Sequence, residues 1–252
     1  MRPRQFRKQL AARQRALCIS LGNLVQAPAP ETLHELRADL RRLCALLRPL
    51  AGRKAFAPLI EQSGLLLAAT NPLRDLEVLA DDLELHRQKE AAARRRHEFQ
   101  AALHALLATP PWREFESRCQ PPAETAPLVA LPDRDALAQR YRKTVGRDIE
   151  RLRRRLDAPR LDLHRLRLDI RTLRYQLEEQ EYVGVEKALK LLARLQDQLG
   201  DWHDRRLWLA LAETETDLRP CVARWRREQA ECARWLPELV ARLRRLLGTA
   251  PA

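Results

Sequence analysis

The sequence predicts an all-α protein, and three observations carry that prediction. Only seven of its 252 residues are glycine and β-branched runs are few, whereas Leu, Ala, Arg and Glu, which lose little on entering a helix, are abundant. Apolar residues recur at i, i+3, i+4 and i+7 instead of alternating, so they fall on one face of a helix and no segment reads as a strand. Prolines punctuate the chain at Pro28 and Pro30, Pro110 and Pro111, Pro121 to Pro132, Pro159 and Pro220.

Taken in order, a first helical stretch begins at Arg4. A second is expected after Pro30, where Thr32 and Glu35 form a T-x-x-E capping box that places His34 at the second helical position. The proline cluster from Thr109 to Pro132 reads as a linker, here set at 119–132, between a first half at 1–118 and a second at 133–252. Within the second half a helix begins at Arg134, and Asp162 caps another that starts at Leu163, with His164 at its second position. Further on, Gly200 reads as a turn between helices and Asp201 as the cap of the next, and Glu213 falls on a helix.

The halves repeat one another at an offset of about 130 residues. LHELRADLRRLCALL from Leu33 lines up with LHRLRLDIRTLRYQL from Leu163, pairing His34 with His164, Arg37 with Arg167 and Arg41 with Arg171. Upstream, Arg13 falls on Lys143. Downstream the match loosens, and LRDLEVL from Leu73 is set against LGDWHDR from Leu199, with Asp75 opposite Asp201.

Charge narrows the partners. The 47 Lys and Arg against 34 Asp and Glu leave +13, a self-repulsion that a bound polyanion would relieve. Only six of the cations are Lys, and the planar Arg fork grips phosphate with two hydrogen bonds. Five scattered cysteines without C-x-x-C spacing argue against a zinc site or a disulfide framework and fit a reducing cytoplasm. No apolar run approaches the roughly 18 residues of a membrane span, and MRPRQFRKQL lacks the core of a secretory signal.

The two repeated helices concentrate that charge. At about 100° per residue, positions 0, +3, +7 and +10 share an arc of roughly 80°. His34, Arg37 and Arg41 obey the spacing, as do His164, Arg167, Arg171 and Arg174. Leu33, Leu36, Leu40, Leu43 and Leu47, and Leu163, Leu166, Ile170, Leu173 and Leu177, fill the adjacent arc. Each helix thus carries a core stripe beside a positive rail, which spans about 15 Å from the histidine to position +10 and could meet several consecutive phosphates. A histidine in the first turn also sits where unpaired backbone N–H groups favour anions, so anion binding should strengthen as pH falls.

These residues, namely His164, Arg167, Arg171, Leu173, Arg174, Tyr175 and Glu178, with LQDQLGDWHD from Leu195 and the first-half LHELRADLRRL and NPLRDLEVL, resemble the CHAD family, the conserved histidine α-helical domain. The resemblance covers nearly the whole chain as one domain, 1–252. It implies two pseudo-symmetric four-helix bundles around a basic groove or pore, binding of inorganic polyphosphate, and association with intracellular polyphosphate granules. By position it assigns His34, Arg37, Arg41 and Arg42 to one wall and His164, Arg167, Arg171 and Arg174 to the other. Arg13, Arg48, Arg74 and Lys143 are supporting cations. Cys44, Thr172 and Asp169 depart from the family's basic pattern and would lower affinity.

Other classes fit less well. An enzyme acting on phosphate chains would need a catalytic signature, and E-x-E-x-K, P-loop and G-x-S-x-G motifs are missing; ETETD from Glu213 half resembles the first. The chain is therefore expected to bind without catalysis and without a cofactor. Asp201, His203 and Asp204 invite a metal reading, but a cap and ties to arginines explain them as well. A nucleic-acid binder is allowed by charge, yet aromatics are 5% of residues and no helix-turn-helix or zinc finger is evident.

Overall fold

The computed structural model describes residues 3–118, 131–180 and 184–248. Those residues form ten α-helices and no strand. The chain folds as two compact units, 1–142 and 143–252.

The first unit contains α1 (Pro3–Gln26), α2 (Pro30–Leu47), α3 (Ala57–Ala69), α4 (Asn71–Leu85), α5 (Lys89–Leu107) and α6 (Pro110–Arg118). Its core gathers Phe6, Leu17, Leu21 and Leu24 of α1 against Leu33, Leu36, Leu40, Leu43 and Leu47 of α2, with Leu66, Leu73, Phe99 and Leu103 from the later helices. The apolar stripe read from α2 is wholly buried, which is the expected outcome of a 3.6-residue period. Proline sits in the first turn of α2, α3, α4 and α6, where its missing N–H has no helical partner to lose. Part of the expected proline linker is consequently helix: Pro110 and Pro111 open α6, and residues 119–130 lie outside the described residues.

Helix α7 (Arg134–Leu156) crosses the division between the units. Its start belongs to the first: Leu137 and Tyr141 join that core, and the Tyr141 hydroxyl donates to Leu46 O at 2.7 Å. The packing boundary therefore falls inside a helix, ten residues beyond the linker end inferred at 132. Prolines mark where a helix cannot continue, whereas a domain ends where buried contacts change sides.

The second unit contains the rest of α7, α8 (Leu163–Glu179), α9 (Glu186–Leu211) and α10 (Val222–Gly248). Val145, Leu152 and Leu156 of α7 meet Leu166, Ile170, Leu173 and Leu177 of α8, Leu192, Leu195 and Leu199 of α9, and Leu239 and Leu243 of α10. Leu163, the first residue of the predicted stripe, is only partly buried against this core. Two further expectations are corrected. Helix α9 runs unbroken through Gly200, so neither a turn nor a cap by Asp201 occurs there. Glu213 lies beyond its end, in a turn before a short 3-10 helix (Thr216–Cys221).

Candidate functional site

In the first unit α2 is capped three residues earlier than expected. Ala29 is the N-cap and Pro30 the first helical residue, while the Thr32 hydroxyl reaches back to accept from Ala29 N–H at 3.1 Å. Leu33 N–H already closes on Ala29 O at 3.0 Å, so His34 stands past the unpaired N–H groups of the first turn. His34 is exposed, but the helix-terminal anion cradle expected beneath it is absent.

Arg37 departs further from the expected rail. It is 4% exposed, and its guanidinium donates to Leu67 O at 3.1 Å, to Asn71 Oδ1 at 2.8 Å and to the Thr70 hydroxyl. Helix α3 stops at Ala69 and α4 starts at Asn71, and the break leaves carbonyls that a buried arginine can satisfy. Arg37 is thus a structural tie and not a wall of an open groove.

The other cations expected at the first-unit site are paired or half-buried. Arg42 meets Asp39 at 3.1 Å and Arg74 meets Glu77 at 2.6 Å, while Arg13, Arg41 and Arg48 are half-buried. Glu77 is 9% exposed, and burial raises its carboxyl against the opposing pull of Arg74 and, more weakly, of His34. Burial pushes the Cys44 thiol up to about 11.

The second unit arranges the same residue types differently. Asp162 caps α8, accepting from Arg165 N–H at 3.0 Å, and that bond holds its carboxyl below the usual range. His164 is therefore at the second helical position, as its sequence spacing predicts. Its ring lies 5.0 Å, centroid to centroid, from that of His203 on α9. Arg167 and Arg171 are half-buried beside the pair, and Arg206 is exposed one turn along α9.

The groups acting most strongly on His203 are Arg167, His164, Arg206 and Arg171, all cations or potential cations. Burial first, and then this field, push His203 down to about 4. The same two causes lower His164, partly opposed by Asp162. The His203 Nδ1 is buried without a hydrogen-bond partner. A local field that suppresses protonation of two histidines is one that an anion would relieve.

Other expected members stand apart. Arg174 binds Gln196 at 3.0 Å and Glu178 at 2.8 Å and lies over the Tyr175 ring, so the end of the rail is tied down. Asp169 pairs with Arg155, and the Thr172 hydroxyl donates to Leu168 O at 2.9 Å. Lys143 is exposed on α7. Asp201 faces Arg205 at 3.3 Å, and Arg205 continues to Glu228 at 3.1 Å. Among the described residues no group of three His, Cys, Asp or Glu side chains is placed to hold a metal.

Sequence reasoning missed His203 and Arg206 as members of the cluster. Their i, i+3 spacing on a helix was the available signal, but it carries weight only once α9 is known to be unbroken.

The helices, their order and this cluster define an all-helical domain with a basic face. The profile of the CHAD domain family matches residues 4–213, and the chain belongs to that family. The crystal structure of the CHAD domain from the plant Ricinus communis is similar over 99% of this chain and 92% of that one, with a TM-score of 0.68 and 21% identity. Among curated proteins none matches the chain. Among the described residues no helix is long and apolar enough to cross a membrane.

Proposed function

We propose that the chain binds inorganic polyphosphate at the α8–α9 cluster of the second unit and that this binding recruits it to polyphosphate granules in the cytoplasm. The observation that carries the reading is the His164–His203 ring pair, held at 5.0 Å among Arg167, Arg171 and Arg206. Imidazole and guanidinium groups on two adjacent helices offer several donors to successive phosphates, and each phosphate bound lowers the cost of gathering like charges. Membership of the CHAD family supports this choice of ligand through the resemblance set out above. In this reading the protein acts as a binder without catalysis, its imidazole and guanidinium groups serving as donors to the phosphate oxygens.

The test is a titration of long-chain polyphosphate at fixed, near-physiological salt, since counterion release makes any polyanion affinity salt-dependent. Duplex DNA serves as competitor. Tight binding that DNA displaces poorly is the expected result, with no phosphate released when Mg²⁺ or Mn²⁺ is added. Equal competition by DNA would replace polyphosphate with nucleic acid, and phosphate release would make the protein an enzyme.

A further inference from the structure

The buried positions correct the register between the two halves. Leu36, Leu40, Leu43 and Leu47 of α2 match Leu166, Ile170, Leu173 and Leu177 of α8 at an offset of 130 (166 − 36). Along the following helices, Ser63, Leu66, Thr70 and Leu79 match Leu192, Leu195, Leu199 and Trp208 at 129 (192 − 63), every one of them buried. Asp75 therefore stands opposite Asp204 and not Asp201. Arg74 stands opposite His203, and Glu77 opposite Arg206.

That register exposes a charge reversal. Where the second unit has Arg206 beside His164 and His203, the first has a buried carboxylate, Glu77, bound to Arg74 at 2.6 Å and close enough to His34 to feel its field. An anion approaching His34 meets that carboxylate. One approaching His164 meets a guanidinium.

Arg37 and Arg167 diverge for a related reason. The break between α3 and α4 creates carbonyl and side-chain acceptors that draw Arg37 inward, and two of them come from Thr70 and Asn71. In the second unit those positions are Leu199 and Gly200, which carry no side-chain acceptor, and α9 is continuous there, so no helix end needs a cap. Arg167 is accordingly half-buried at the edge of the cluster, whereas Arg37 is inside.

We infer that the two halves have divided their labour: the α8–α9 face of the second unit binds the phosphate chain, and its counterpart around His34 has become a self-neutralised structural network that binds none. This inference rests on the polyanion reading above and adds which half serves it and which substitution separates the halves. Glu77 against Arg206 is the deciding pair.

Two variants test it in the full chain, each titrated with long-chain polyphosphate and with a single-stranded DNA oligonucleotide at the same salt. Arg206→Glu gives the second unit the first unit's charge at an exposed position, at the loss of one contact with the Trp202 ring. His34→Gln combined with Arg41→Gln removes first-unit cations. Circular dichroism and thermal melting confirm that both remain folded. Arg206→Glu is expected to weaken polyphosphate binding by at least about tenfold, and the double variant by less than about twofold. Equal losses, or a larger loss in the first-unit variant, overturn the division of labour. Should the oligonucleotide bind the wild type as tightly as polyphosphate, the ligand assignment fails alone, and the ratio between variants for the oligonucleotide still decides the inference. Absence of binding to either polyanion overturns both.

Discussion

Protonating His203 places a charge on a half-buried ring that already faces Arg167, Arg171, Arg206 and His164. Its folded pKa of about 4 lies below the ordinary 6.5, so the unfolded chain binds more protons between those values. The stability this ring contributes is complete above about pH 6.5 and is lost as pH falls through about 4. Urea unfolding between pH 7 and pH 4.5 should show a steeper decline for the wild type than for His203→Gln. Equal slopes would mean that burial and the cluster's field together leave His203 close to its ordinary pKa. Arg37 supports a prediction of a different kind. Truncation to Ala removes a buried guanidinium and leaves the buried Thr70 hydroxyl, Leu67 O and Asn71 without their charged donor, a loss of about 2–4 kcal/mol in unfolding free energy. Denaturant titration reads the loss, and a change under about 0.5 kcal/mol, the usual range of a surface substitution, would remove Arg37 from the core. The residue types of both sites were legible in the sequence, as was the position of His164. Arg37's burial was not, because spacing along a helix says which face a residue occupies and not whether a neighbouring helix covers it.

At the scale of elements, the apolar period located α2 and α8 and their core stripes with little error, because burial of one face is what stabilises such helices. Helix ends were harder. Thr32 was read as a cap where it serves three residues inside the helix, and Gly200 was read as a turn where α9 continues. Glycine permits a turn but does not require one, and α9 continues through it with Leu195, Leu199 and Trp208 buried on either side. Gly200→Ala supplies a direct check. A Cβ there meets no atom within 4 Å, so the substitution should stabilise the protein by about 0.5–1 kcal/mol through lower unfolded-state entropy and better helix propensity. Thermal or urea unfolding measures it, and destabilisation would point to the turn.

For the molecule as a whole, +13 of net charge is a standing repulsion that salt should screen. Raising NaCl from about 10 mM to 150 mM shortens the Debye length from roughly 30 Å to 8 Å, and the melting temperature should rise with it. Polyphosphate at constant salt should add a further rise that Arg206→Glu abolishes, because a ligand stabilises only the state that binds it. A melting temperature indifferent to salt would show that the charges are already neutralised internally by pairs such as Arg74–Glu77 and Arg205–Glu228. The sequence by itself determined the all-helical class, the membership in the CHAD family and the basic character, since these follow from composition, period and motif and need no long-range geometry. Only the tertiary structure decided where the units divide, which arginines are buried, and that His203 and Arg206 join His164. Those outcomes depend on which helices stop and which run on, and on the side chains that come together once they do.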